Sequence, residues 1–170
     1  MWLMTKHGDQ GRIMIRLNLG SGLRPVEGFV NIDSNPALKP DLVRDLCRGL
    51  PYSDGTVDEI QGMDVLEHLP GPADLIFVLN ECHRVLHSGG RAIFCVPNCL
   101  SFQHSDWAFG DPTHRIFFCV HTWDYWQAGH EQHEFNGSGY GILPWTIHLE
   151  IFSGDAIIRA TMEPVKIAVA

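Results

Sequence analysis

Between two short apolar runs, Ile13–Leu19 and Phe29–Ile32, this chain has room for a turn and little else. The first run closes on Leu17-Asn18-Leu19-Gly20-Ser21-Gly22, and six residues, Leu23 to Gly28 with Pro25 among them, separate Gly22 from Phe29. A run this short and apolar at most positions reads as a strand buried on both faces. Joining two parallel strands through a full crossover helix takes about ten to twelve residues. The first crossover helix is therefore shortened or absent. The second run ends at Asp33-Ser34. Gly20 and Gly22 allow positive φ and close approach of the backbone to a ligand. Asp33 offers two acceptor oxygens, which suit the two hydroxyls of a ribose. A glycine turn facing a carboxylate at the next strand's end suits a nucleoside.

The rest of the chain alternates in the same way. Asp41–Leu46 reads as a third strand and Val57–Gly62 as a fourth. Pro72–His87 has helical spacing, with Leu75, Ile76, Leu79, Cys82, Val85 and Leu86 on one stripe and Gly89-Gly90 after the end. Arg91–Val96 is a fifth strand, followed by a long loop to about Phe118. Thr122 to about His133 reads as a helix capped by Thr122. Trp145–Phe152 and Ala156 to about Ala168 form a hairpin around Ser153-Gly154-Asp155. The expected class is α/β, a Rossmann-like, mainly parallel sheet with a C-terminal antiparallel hairpin. Residues 1–12 read as a flexible leader and 13–170 as a single domain. Ligands of such sheets bind at the strands' carboxyl ends, where Asn18–Gly22, Asp33, Asp45, Asp64 and Asn98 fall.

Charge narrows the partners. Twenty Asp and Glu against 12 Lys and Arg leave a net charge of −8. Double-stranded nucleic acid and anionic membranes both need a basic face, so neither is an expected partner. No run of eighteen apolar residues is present. The five cysteines are odd in number and irregular in spacing, which suits reduced thiols and a cytoplasmic protein. Cys95 and Cys99 lack the second pair of a zinc site, and no metal centre is expected. The turn also lacks the third glycine of a dinucleotide fingerprint and the lysine of a phosphate-binding loop. A nicotinamide-dependent oxidoreductase is disfavoured on that ground.

Ordered blocks beyond the turn carry a resemblance. They are Leu17-Asn18-Leu19-Gly20-Ser21-Gly22, Gly28-Phe29-Val30-Asn31-Ile32-Asp33, and Asp45-Leu46 running on through Leu50-Pro51-Tyr52-Ser53-Asp54 to Val57-Asp58-Glu59-Ile60. Val65-Leu66-Glu67-His68-Leu69, Glu81–Gly90 and Asp111-Pro112-Thr113-His114 follow. Over roughly residues 15–126 the chain resembles the class I S-adenosylmethionine-dependent methyltransferases. The resemblance implies S-adenosyl-L-methionine as cofactor. It places Gly20 and Gly22 under the methionine moiety, with Asn18, Leu19 and Ser21 completing the turn, and Asp33 on the ribose beside Ser34. It puts Asp45 and Leu46 at the adenine and Asp64 and Val65 near the sulfonium. Carboxylates suit a cationic cofactor. Asn18 departs from the wider superfamily, where an acidic residue is common.

Methyl transfer is an in-line displacement that needs an aligned acceptor and, for a hydroxyl, a base within reach. The loop after the fifth strand offers His104, Asp106, Asp111 and His114. His114 is the favoured base with Asp111 as its orienter, and His68 is a further catalytic candidate. The same Asp111–His114 segment also reads as a structural turn, with Asp111 capping backbone and His114 against Phe117. Trp107, Phe109, Trp123, Tyr125 and Trp126 read either as an acceptor pocket or as core. His130 and His133 read as a solvated helix face. The expected function is methyl transfer to a small-molecule or glycan-type acceptor at oxygen or nitrogen. The alternative is a non-catalytic cofactor-binding or interaction module with an eroded site. The thinly covered sheet suits a partner surface, a homodimer included.

Overall fold

The computed structural model describes residues 13–166. The leader expected over residues 1–12, and the expected end of the last strand near Ala168, lie outside the described residues. In chain order the main elements are strands β1 (Arg16–Leu19), β2 (Val30–Asp33), β3 (Leu42–Val43) and β4 (Val57–Met63), helix α1 (Pro72–Val85), strand β5 (Leu86–Pro97), the single turn α2 (Asp106–Phe109), and strands β6 (Trp145–Phe152) and β7 (Ile157–Pro164). They form one seven-stranded sheet in the order β3-β2-β1-β4-β5-β7-β6. The first five strands are mutually parallel, and β7 runs antiparallel to both β5 and β6. The expected α/β sheet with an antiparallel C-terminal hairpin is what the chain forms.

The sheet has two unlike faces. Leu17 pairs in register with Ile60, Ile60 with Ala92 and Ala92 with Met162. These residues are fully buried in one core with Leu75, Val78, Leu79, Cys82 and Val85 of α1 and with Trp123, Trp126 and Trp145. The opposite face reads Asn31, Asn18, Gln61, Ile93, Thr161, His148 across the strands. Its outer rows carry the ion pairs Arg91–Glu59 and Arg159–Glu150, an arrangement fit for water contact.

On that second face the link between β1 and β2 contains no helix. Amide side chains hold it instead. Asn18 Nδ2 donates to Asn31 Oδ1 (2.9 Å) and to the Arg24 carbonyl (3.3 Å), and Gln61 Nε2 donates to Asn18 Oδ1 (3.2 Å). Asn31 Oδ1 also accepts from the Val26 N–H (2.7 Å), and its Nδ2 donates to Asp41 (2.8 Å). Asn18 and Asn31 are 4% and 8% exposed, so these bonds satisfy groups that water cannot reach. The loop 23–28 is thereby sealed over the sheet.

The block from Asp45 to Thr56 is anchored by one guanidinium. Arg84, in the last turn of α1, donates to both oxygens of Glu81 (2.7 and 2.9 Å), to Asp54 (2.7 Å) and to the carbonyls of Tyr52 (2.9 Å) and Leu50 (3.1 Å). Glu81 in turn accepts from the Leu50 N–H at 2.9 Å. Those charge-assisted bonds hold the Glu81 carboxyl below its ordinary range.

Two expected elements differ. The third strand is only Leu42–Val43, because Asp45 caps a 3₁₀ turn over Leu46–Arg48 by accepting the Cys47 N–H at 2.9 Å. The helix expected over 122–133 does not form. A 3₁₀ segment, Val120–Tyr125, is capped at Cys119, with Thr122 Oγ1 accepting the Cys119 N–H at 3.0 Å. The chain then pairs with the start of β6: Trp145 N–H donates to the Trp126 carbonyl and Ala128 N–H to that of Trp145, both at 2.8 Å. Trp123 and Trp126, three apart, suit a 3₁₀ period as well as an α-helical one. His133 does not lie on a solvated face: it is buried and its Nδ1 donates to the Tyr125 carbonyl at 2.8 Å.

Replacing Asn31 by Leu breaks the ladder, leaves the Val26 N–H without its partner and takes the 2.9 Å bond from the Asn18 amide. A loss of about 3 kcal/mol is expected by urea unfolding; a loss below about 0.5 kcal/mol would contradict this account of the helix-free link.

Candidate active site

The turn after β1 is built against a single side chain. Gly20 and Gly22 have φ of 61° and 53°. A Cβ on Gly20 would stand 2.3 Å from Val65 Cγ2, whereas one on Gly22 would meet only the Gly20 carbonyl, at 3.9 Å. Asp33 Oδ2 accepts the Gly22 N–H at 2.9 Å, and its Oδ1 accepts the Asn35 N–H at 2.9 Å. Each carboxylate oxygen has a second lone-pair direction left. Asp33 therefore fixes the turn and keeps acceptor capacity for a ligand.

A cavity of about 700 Å³ opens at the carboxyl ends of β1 to β4. Gly20, Gly22, Asp33, Ser34, Asp45, Leu46, Asp64, Val65 and His68 line it, together with Arg44, Cys47, Leu69 and Pro70. Asp64 sits at φ 54°, a conformation acidic residues tolerate better than most. Burial and the Asp45 charge raise the Cys47 thiol to about 11, so it stays protonated. Three expected cofactor residues are not on this wall. Leu19 is fully buried in the core. Asn18 and Ser21 face a separate groove of about 480 Å³ beneath Leu23–Val26, and the Asn18 amide is taken up by the ladder.

A neighbouring cavity of about 720 Å³ shares Asp64 and His68 with the first. Glu67, Asp106, Trp107, Asp111, His114 and Ile157 complete much of its wall. Its loop is a turn of the expected kind: Asp111 Oδ1 accepts from the Thr113 N–H (2.8 Å) and from the Thr113 hydroxyl (2.6 Å). Those bonds lower the Asp111 carboxyl from its ordinary value. His114 packs edge-on to His68, ring centres 4.7 Å apart, while Phe117 pairs with Phe109 instead. His114 Nδ1 donates to the Ala108 carbonyl at 2.8 Å, and its Nε2 stands 3.9 Å from Asp111 Oδ2. Among the expected aromatics, Trp107 reaches this cavity, whereas Trp123 and Trp126 belong to the core. His104 packs beside Trp107.

Glu67 was assigned no role from sequence. It is 1% exposed, and neither carboxylate oxygen has a well-formed hydrogen bond among the described residues. Burial raises its carboxyl to about 7, its own backbone N–H opposes the rise, and the Asp64 and Asp111 charges add to it. Its backbone carbonyl accepts from Arg115 N–H (2.8 Å) and Ile116 N–H (3.2 Å), which pins the 111–116 segment over it. A signal was present: an acid inside the apolar run from Val65 to Leu69. Another hollow, about 560 Å³ beside His83, Arg84, His87 and Lys166, lies at the amino ends of β4 and β5, the wrong end of a parallel sheet for a ligand.

Residues 25–94 match the family model described as "Methyltransferase domain". A S-adenosylmethionine-dependent methyltransferase from Archaeoglobus fulgidus superposes with a TM-score of 0.68 at 16% identity, covering 89% of this chain and 87% of that one. The chain has the fold of the S-adenosylmethionine-dependent methyltransferases. A putative methyltransferase in complex with the Trm112 activator of Haloferax volcanii gives 0.64 at 12% identity, covering 94% and 85%. A possible histamine N-methyltransferase from Thermotoga maritima gives 0.61 at 12%, covering 88% and 81%. No curated protein sequence matches the chain. Among the described residues no helix is long and apolar enough to cross a membrane.

The glycine turn yields a stability test. Gly20→Ala forces Val65 to move and is expected to cost about 2 kcal/mol or more by thermal or urea unfolding; Gly22→Ala, strained only by its φ, costs about 1 kcal/mol. Equal losses at both positions would contradict the packing of Val65 against the turn.

Proposed function

We propose that the 700 Å³ cavity binds S-adenosylmethionine and that its methyl group passes to an acceptor in the adjoining 720 Å³ cavity. The observation that carries this reading is the shared wall: Asp64 and His68 line both spaces. Asp33 accepts from the ribose hydroxyls, Asp45 and Leu46 flank the adenine, and the glycine turn with Val65 supports the methionine end. S-adenosylmethionine is cationic at its sulfonium and ammonium. The carboxylates of Asp33, Asp45 and Asp64 attract those charges. One of the similar structures is a complex containing S-adenosylmethionine, which supports the reading by likeness of fold.

The acceptor is a small molecule or glycan-type compound that offers oxygen or nitrogen. Trp107 gives it an apolar platform, and His68, Asp111 and His114 give it polar contacts. When bound, the cofactor supplies the electrophilic methyl carbon. The protein's part is to align the acceptor and exclude water.

A second reading, a cofactor-binding module without turnover, draws on one observation. The Asn18 side chain is engaged in the amide ladder, with no helix behind the turn. The test separates the two. Calorimetry is expected to show S-adenosylhomocysteine binding to the wild-type chain, with Asp33→Asn weakening it at least about tenfold while the far-UV spectrum is retained. Unchanged affinity in that variant would overturn the site assignment. Binding without methyl transfer to any of a panel of hydroxyl and amine acceptors would favour the module.

A further inference from the structure

We propose that Glu67, His68 and His114 form a binding site for a divalent transition-metal cation at the junction of the two cavities. The cation site stands on its own geometry; its consequence for the acceptor rests on the methyl-transfer reading above. One ligand atom from each residue lies within 4.8 Å of the others. Metal–ligand bonds of about 2.1 Å need ligand atoms about 3–3.5 Å apart, so the three must close by about 1 Å or more. His68, exposed at the rim, is the ligand with room to shift toward the others.

The hydrogen bonds around the trio prepare both histidines as ligands. The Thr113 hydroxyl gives its proton to Asp111 (2.6 Å), so its oxygen accepts from His68 Nδ1 at 3.0 Å. His114 Nδ1 donates to the Ala108 carbonyl at 2.8 Å. With each Nδ1 holding the proton, each Nε2 keeps its lone pair, the arrangement in which imidazoles bind metals and outer hydrogen bonds fix their orientation.

Glu67 supplies the independent observation. A buried carboxylate with no well-formed hydrogen bond on either oxygen is costly. A protonated carboxyl would be no better served, since its O–H would also need an acceptor, and neither oxygen has a partner among the described residues. A cation satisfies both oxygens. Two imidazoles and a carboxylate suit borderline ions such as Zn²⁺, Co²⁺, Mn²⁺ or Fe²⁺, and leave coordination positions open. Those positions face the cavity lined by Trp107 and Asp111. An acceptor reaching them would ligate through its oxygen or nitrogen lone pair. Asp106 and Asp111 on the same wall offset the extra positive charge beside a cationic cofactor, while Asp64 is paired with Arg24 at 3.4 Å.

The sequence led to no metal centre because the ligands lie in two segments, 67–68 and 114, joined only by the loop that folds back over Glu67. The experiment titrates Co²⁺, followed by its visible absorption, and Zn²⁺, followed by calorimetry, into the metal-free chain without cofactor. One equivalent is expected to bind with a dissociation constant of about 10 μM or tighter and without thiolate-to-cobalt charge-transfer absorption. Glu67→Gln and His114→Gln each weaken it at least about 100-fold, and Thr113→Val about tenfold through His68. His68→Gln, at the rim, carries the test should a buried variant fail to fold. No saturable binding, or equal affinity in wild type and folded variants, overturns the proposal. S-adenosylhomocysteine titrated into the same metal-free chain reads the cofactor site separately. Cofactor binding without cation binding overturns the metal site alone, and the reverse overturns the methyl-transfer reading alone.

Discussion

Everything at the ligand end of the sheet depends on how β1 is joined to β2 without a helix. Covering a parallel sheet normally falls to crossover helices, which bury apolar side chains against it. Here ten residues, 20–29, join the strands; with the first three spent on the glycine turn, the rest are too few for that, and the surface beneath them is polar to match. Asn31, Asn18 and Gln61 sit in register on neighbouring strands and share their amide protons sideways. The link is held by hydrogen bonds in the place where a helix would use apolar area. Such bonds are directional, so they set the height of the chain as it enters and leaves the glycine turn. The Gly22 N–H then meets Asp33 at 2.9 Å, and Gly20 meets Val65 with no room for a side chain.

Two acids of the region show how environment divides labour between chemically similar groups. Asp33 accepts backbone N–H groups on both oxygens, which holds the carboxylate in place at the cavity wall. Glu67, four residues past the end of β4, is enclosed with no well-formed hydrogen bond to its carboxylate among the described residues. The difference arises from the 3₁₀ turn Leu66–His68, which rolls Glu67 inward and His68 to the rim, and from the 111–116 segment tied over the Glu67 carbonyl. The 700 Å³ and 720 Å³ cavities meet at this turn. The resulting juxtaposition of an acid with two tautomer-fixed histidines is the most chemically loaded feature of the fold.

Much of this was legible in the chain before folding. The spacing from Gly22 to Phe29 already ruled out a full helix, and the stripe on Pro72–Val85 marked α1. Asp33, Asp45 and Asp64 fell at strand ends, and the cavity gathers them. What was not legible depended on contacts between distant segments. Asn18 read as a ligand contact because it precedes the glycines, yet its strand neighbours claim its amide. Thr122–His133 read as a helix with Thr122 as its cap, but pairing of Gln127 with Trp145 took the backbone elsewhere. Glu67 and His114 are 47 positions apart in the chain, and no local pattern relates them.

The most direct measurement is a crystal structure of the chain with S-adenosylhomocysteine. The expected result places both ribose hydroxyls within hydrogen-bond distance of the Asp33 carboxylate, adenine against Leu46, and the sulfur facing Asp64 and His68 at the wall shared by the two cavities. A ligand seated instead beneath Leu23–Val26, or at the amino ends of β4 and β5, would contradict the account.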